Sequence, residues 1–370
     1  MKKIKNILSL LFSSFLLFSC APKASTQIDT KKVTDMKERK VILKNDIQKV
    51  CITFNIEEYL AIGGEGSEDK IVGWAHSYWK GRRDDAYDSY TSVYPQLLDK
   101  KDIGYDQNTN IETILSLSPD VVIASSAVNY SFFQPHLSLF EKADIPVVFI
   151  DYHTDTVDTI IRSNQILGKI LNQEKRAEEI SEYYKNKVTP ILTKANQIKE
   201  ENKPKVYMEF SKGKDIYGNT WSKKMWGALI QQVGGINIAY DIADTNSVDM
   251  AKEAIIRENP DIIILTGANQ KGLSGNIALG YNQSEEKARE NLASYLEREE
   301  WKSVKAVKEK KLYALYHDLS RHIFDFAGVE FLAKTIQPEI FSDLNPMEDL
   351  KEFFRLYMPF EIKGAFLVNL

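Results

Sequence analysis

The sequence predicts an α/β fold built as two similar lobes joined by a helical connector. Short apolar, strand-like runs alternate with helical patterns after about residue 40. The same helix, Pro-Asp, strand joint occurs once in each half, and a long helically spaced stretch without a Gly/Ser-rich linker separates the copies. With 370 residues, 43% hydrophobic and 27% charged, the chain has ample material for two buried cores. A formal net charge of -4 lacks the basic field that nucleic-acid binding needs, so no nucleic-acid partner is expected. Two cysteines exclude a disulfide scaffold, and no Cys-x-x-Cys pair offers a structural zinc site.

Taken in order, residues 1–19 carry Lys2, Lys3 and Lys5 followed by an apolar run from Ile7 to Phe18, too short for a permanent membrane helix. They read as an export signal. The ending Leu17-Phe18-Ser19-Cys20 resembles a bacterial lipobox, which implies that Cys20 is lipidated and becomes the new N-terminus, held to a membrane without a spanning helix. Loss of the three lysines takes the charge from -4 to -7. Cys51, flanked by Val50 and Ile52, reads as a buried strand residue. Residues 20–40 are rich in Lys, Thr, Ser and Asp and read as a flexible tether.

The first lobe is expected over 41–153. Within it, Ile114 to Ala124 places a helix end before Pro119-Asp120 and a strand after it, and Thr109-x-x-Glu112 fits a capping box in front. Val157, Ile160, Ile161, Leu167, Ile170 and Leu171 keep helical spacing, and a second helical stretch follows from Glu174 to Glu201, giving a connector over 154–202. A helix of about 17 residues measures roughly 25 Å and would hold the lobes at a nearly fixed separation. In the second lobe, 203–370, Ile255 to Leu265 repeats the joint around Pro260-Asp261.

Several motifs in this order resemble one family. They include Glu57-Glu58-Tyr-Leu-Ala-Ile-Gly63 with Lys70-Ile-Val-Gly73, Ile166-Leu-Gly-Lys, Tyr217-Gly-Asn-Thr, Gly234-Gly-Ile-Asn237, Trp301-Lys-Ser-Val and Met358-Pro-Phe-Glu-Ile-Lys-Gly364. Through residues 47–370 the chain resembles the helical-backbone substrate-binding lipoproteins of ABC importers for iron-siderophore complexes, haem or cobalamin. The resemblance implies two Rossmann-like lobes joined by a long rigid helix, a ligand cleft between them, and delivery to a permease driven by a cytoplasmic ATPase. It implies a monomer without a cofactor, lipid-anchored at the outer face of the cell membrane or in the periplasm. It also implies a surface glutamate on each lobe for permease docking, which falls on Glu57, with Glu58 beside it. The matching place in the second lobe is Ala228.

A metal chelate is broad and often anionic, so its cleft wants aromatic walls and cationic rims. Beyond the strand at Ile71-Val72, Tyr78 and Trp79 could stack on such a ligand while Arg82 or Arg83 pairs with its oxygens. From the second lobe come Tyr217 and Trp221, with Trp226 read as core. After the strand Leu312 to Leu315, the segment Tyr316-His317-Asp-Leu-Ser-Arg321-His322 offers Tyr316, Arg321 and His322, the last as a metal ligand within a chelate. His136 and His153 read as loop residues. A ferric siderophore is the expected cargo, with haem, cobalamin or a nickel or cobalt chelate as alternatives.

No Gly-x-Ser-x-Gly elbow, His-Glu-x-x-His, Walker loop or Gly-x-Gly-x-x-Gly is present, so an enzyme has no positive support. An exported chelatase-like enzyme, which would turn over, and a lipid-anchored adhesin, which would bind no small ligand, are the readings from other classes.

Overall fold

The computed structural model describes residues 29–153, 157–245, 247–269 and 275–370. Residues 1–19, expected to be an export signal, and Cys20 lie outside the described residues. Residues 29–40 belong to a hairpin of β1 (Thr30–Thr34) and β2 (Lys40–Lys44), so the expected tether does not extend to residue 40. Sparse as its apolar residues are, the hairpin buries Val33 and Leu43 against the core. Its tip is held by Asp35, whose carboxylate accepts hydrogen bonds from the amides of Lys37 and Arg39 and from the Arg39 side chain.

The first lobe then runs through β3 (Val50–Ile52), α1 (Ile56–Gly63), β4 (Ile71–Trp74), α2 (His76–Arg82), α3 (Asp84–Val93), β5 (Lys101–Asp102), α4 (Ile111–Leu117), β6 (Val121–Ser125), α5 (Tyr130–Phe133), α6 (Leu137–Lys142) and β7 (Val147–Ile150). Its sheet is parallel throughout, in the order β5-β4-β3-β6-β7. The outer strand β7 does not end in bare backbone. The hairpin tip lies along it, with the Met36 amide donating to Phe149 O and the Phe149 amide donating to Asp35 Oδ2.

The connector is a packed pair of helices, α7 (Val157–Leu171) and α8 (Glu174–Ala195). Asn172, with φ 56°, breaks the run between them. At 22 residues, α8 is the long helix, about 33 Å. The two approach closely at Gly168, where an added Cβ would sit 2.7 Å from Ala177 Cβ.

The second lobe contains β8 (Lys205–Phe210), β9 (Asn219–Trp221), α9 (Trp226–Gln232), β10 (Ile236–Asn237), β11 (Ser247–Asp249), α10 (Lys252–Glu258), β12 (Ile262–Gly267), β13 (Gly280–Tyr281), α11 (Glu285–Ser294), α12 (Lys305–Lys308), β14 (Leu312–Tyr316), α13 (Phe326–Ile336), α14 (Pro346–Tyr357), β15 (Gly364–Ala365) and β16 (Leu367–Asn369). Its main sheet has the order β10-β8-β12-β14-β16, parallel except for β16.

The two Pro-Asp joints are structural equivalents. Each helix stops on a left-handed residue, Ser118 or Asn259, and each strand that follows is buried along its whole length. Asp120 accepts from the amides of Gln48 and Lys49 and from Lys44, while Asp261 accepts from the Lys205 amide and from Lys305. Each aspartate thus ties the start of its strand to the start of the neighbouring one. The helix before β6 is capped one residue later than the expected capping box, by Asn110, whose side chain accepts from the Thr113 amide.

One apolar cluster runs from Val33 and Leu43 through Tyr59, Trp74 and Ile180 to Leu265, Trp226 and Phe354, crossing both lobes and the connector without interruption. A smaller cluster lies behind the first sheet and includes Cys51, where burial pushes the thiol up to about 12.

Candidate functional site

A cleft of about 520 Å³ opens between the lobes. Four of the segments lining it begin where a parallel strand ends: α2 after β4, Phe210 to Lys212 at the end of β8, Ala268 after β12, and His317 after β14, while Asn219, Trp221 and Ser247 come from the antiparallel pair β9 and β11. The sheets thereby aim four loops at one space.

Tyr78 and Arg82 line it from the first lobe. Tyr78 stacks on Tyr105 with ring centroids 3.8 Å apart, and both rings lie near Phe54. Across the gap, Trp221 stacks on His317 at 5.5 Å, and Phe210 meets the same imidazole edge-on at 4.8 Å. Burial, reinforced by Arg321, pushes His317 down to about 4, so this ring is neutral near pH 7. Its Nδ1 lies 3.3 Å from Thr266 Oγ1.

The charge in this space is cationic. Arg82, Lys212 and Arg321 face it, and neither Arg82 nor Lys212 makes an ion pair or hydrogen bond with the described residues. Asp318 is the acidic group that lines the cleft, and it is already engaged by Arg83 and Arg321.

Five sequence-derived site residues lie elsewhere. Trp79 is 1% exposed, packed on Trp74 and Tyr90 with the Arg83 guanidinium 4.3 Å above its ring. Tyr217 turns away from the cleft, donating to Glu300 at 2.7 Å and covering Arg298. Tyr316 is buried behind the floor against Tyr281 and Phe366. His322 is 2% exposed and absent from the cleft lining, with Nδ1 2.8 Å from Glu58 and 3.1 Å from Glu57, so it is held by buried carboxylates and not presented to a ligand. Glu57 and Glu58 are fully buried, which removes both from any surface that a permease could touch. Arg83 reaches the cleft floor, but its charge is spent on Glu57 at 2.8 Å and Asp318 at 3.3 Å.

These buried residues form a polar seam between the lobes. Glu57 accepts from Arg83 of its own lobe and from Tyr281 of the other. Burial opposes its ionisation, but Arg83 and His322 more than offset this and hold the carboxyl below its usual range. Asp85 faces β13 so closely that a Cβ at Gly280 would sit 2.3 Å from its Oδ2, and burial pushes its carboxyl up to about 7. His153 lies in the loop between β7 and α7, as expected, but its half-buried ring packs beside Phe54, and neither ring nitrogen finds a hydrogen-bond partner among the described residues.

The architecture has counterparts among known proteins. The TroA-like periplasmic binding protein FepB from Veillonella parvula superposes with a TM-score of 0.87 at 30% identity, covering 92% of this chain and 99% of that one. The uncharacterized ABC transporter substrate-binding lipoprotein YvrC of Bacillus subtilis is 25% identical over 93% of this chain and all of its own length. The high-affinity heme uptake system protein IsdE of Staphylococcus aureus is 24% identical over 61% of this chain and 70% of its own. The sequence profile of the periplasmic binding protein family matches residues 53–319. The chain belongs to that family.

As a periplasmic binding protein it is the substrate-binding component of an ABC transporter and not an enzyme, which sets aside the chelatase and adhesin readings. No helix among its described residues is long and apolar enough to cross a membrane. The binding-protein cleft also contains Phe210, Lys212 and Asp318, which the sequence reading passed over, and His317, one of the two histidines of the third candidate segment, in place of the preferred His322. The rule that ligands sit beyond strand ends already points to His317, the first residue after β14, rather than to His322 five positions further on. The same rule applied at the end of β8 finds Lys212.

Proposed function

We propose that this protein captures an anionic metal chelate, foremost a ferric siderophore, and delivers it to a membrane permease powered by a cytoplasmic ATPase. The observation that carries the reading is the cluster of Arg82, Lys212 and Arg321 in one aromatic-walled cleft of an acidic protein. Arg82 and Lys212, whose side chains have no partner among the described residues, are positioned with Arg321 for ligand oxygens, and Tyr78 and Trp221 supply flat apolar surfaces on opposite sides. Export and lipidation at Cys20 would hold the carrier near its permease and raise its effective concentration there. The carrier acts as a monomer, one ligand per chain. Another acidic surface residue takes the docking role once assigned to Glu57.

Haem is the second reading, favoured by His317. Its neutral imidazole stands in the cleft, where it could meet a metal centre directly.

Of the five tryptophans, Trp221 alone lines the cleft, so its fluorescence reports occupancy. The soluble form beginning after Cys20 is titrated with ferric siderophores, haemin, cobalamin and nickel or cobalt chelates. Saturable quenching by ferric siderophores at one per chain, lost in Trp221→Phe, supports the proposal. Quenching by haemin alone, abolished by His317→Ala, moves the assignment to haem.

A further inference from the structure

Arg321 lines the cleft with a backbone φ of 77°, a conformation that a bulky residue holds only when its surroundings enforce it. Its Nη2 donates to Asp318 Oδ1 at 2.9 Å, and its buried Nε has no hydrogen-bond partner among the described residues. The second carboxylate oxygen, Asp318 Oδ2, lies 3.3 Å from Arg83 Nε. Arg83 in turn is fixed by Glu57 at 2.8 Å and by the Trp79 ring beneath it. A chain of alternating charge therefore runs Glu57, Arg83, Asp318, Arg321, starting in the first lobe, crossing to the second at Asp318 and ending in the cleft.

We propose that Asp318 is a positioning residue for ligand capture, aiming the Arg321 guanidinium so that its free edge meets an anionic group of the ligand. The inference rests on the reading of the cleft as a site for an anionic chelate. Asp318 is 8% exposed and binds two guanidiniums from different lobes, so it fixes Arg321 relative to the wall opposite. An arginine held in this way gives up little side-chain freedom when the ligand arrives, and its fork keeps donors for a bidentate contact.

The proposal makes a prediction of opposite sign to simple electrostatics. Asp318→Asn removes a negative charge from a cationic cleft, and charge alone would tighten binding of an anion. Positioning predicts weaker binding instead.

The test measures affinity for a trianionic ferric tris-catecholate, with cyanocobalamin as a probe without net charge. Asp318→Asn is expected to weaken the tris-catecholate by at least about tenfold and to leave cyanocobalamin unaffected. Arg321→Ala is expected to show a similar loss, and the double variant no further one. Unchanged or tighter tris-catecholate binding in Asp318→Asn, beside a weakened Arg321→Ala, overturns the proposal. A ligand-free measurement covers variants that fold poorly and a cleft that takes no such chelate. The Arg321 Nε–Hε resonance, followed by 15N NMR, should be sharp in the wild type, broadened in Asp318→Asn and restored in part by Asp318→Glu. An equally sharp resonance in a folded Asp318→Asn protein overturns the positioning role. Failure of the wild type to bind any anionic chelate overturns the cleft reading separately.

Discussion

Tyr281 of the second lobe donates its hydroxyl to Glu57 of the first at 2.9 Å, and both groups are buried from solvent. The bond joins residues far apart in sequence and closes the seam beneath the cleft. It makes the lobe interface a charged structure that no ligand has to complete.

Removing either partner should therefore be read in stability before binding. Tyr281→Phe removes one hydrogen bond to a charged group and is expected to cost about 1.5–3 kcal/mol. Glu57→Gln leaves Arg83 short of its principal counter-charge and should cost more, about 3–5 kcal/mol. Urea denaturation of the soluble form measures both, and an effect within error for Glu57→Gln would contradict the seam.

The cleft cations predict a different signature. Arg82→Ala and Lys212→Ala should leave the melting temperature unchanged, because neither side chain has a partner among the described residues to lose. Each should weaken an anionic chelate by about tenfold, near 1.4 kcal/mol, and the loss should shrink as salt is raised. Arg83→Ala should behave in the opposite way, unfolding the protein more readily, because that arginine is engaged in the seam.

Asp85 gives the pH dependence its sign. Its folded carboxyl is raised to about 7 by burial, against 3.8 for a free one, so the folded state holds the proton more tightly than the unfolded state. The stabilisation from this proton is complete below about pH 4 and is lost as pH rises towards about 7. Asp85→Asn should flatten that stretch of the stability curve and gain on the wild type above neutrality. Denaturant midpoints collected from pH 5 to 8 for both proteins provide the check, and parallel curves would refute the assignment.

Cys51 is buried in β3 with its thiol pushed up to about 12. The folded soluble form should resist iodoacetamide at neutral pH and take up one equivalent on unfolding, as followed by mass spectrometry.

What could be read from the sequence depended on how far apart the interacting residues lie. The Pro119-Asp120 and Pro260-Asp261 joints were legible because a helix stop, a strand start and the aspartate between them are local events. Trp221, Tyr78, Arg82 and Arg321 were found because they follow strand ends. Glu57 and His322 were misplaced because each meets partners on the other lobe, Glu57 through Tyr281 and His322 through Glu58 across 264 positions. A glutamate on an isolated helix start looks solvated until its distant arginine and tyrosine are known. Trp79 failed for a related reason: next to arginines it looked like part of a binding wall, whereas Arg83 lies on its face as part of the core. The hairpin was missed because its stability comes from Asp35 and a few buried side chains rather than from any apolar run.

That hairpin bears on how copies behave when crowded. A sheet whose last strand displays unpaired amides and carbonyls can recruit the same strand from a neighbour, and proteins held side by side meet each other often. Here the tip at Asp35 and Met36 already occupies the backbone of Phe149 on β7. Crowding therefore cannot readily convert neighbouring copies into a shared sheet along this edge, and a truncation that removed residues 29–39 would expose the molecule to self-association without touching its cleft.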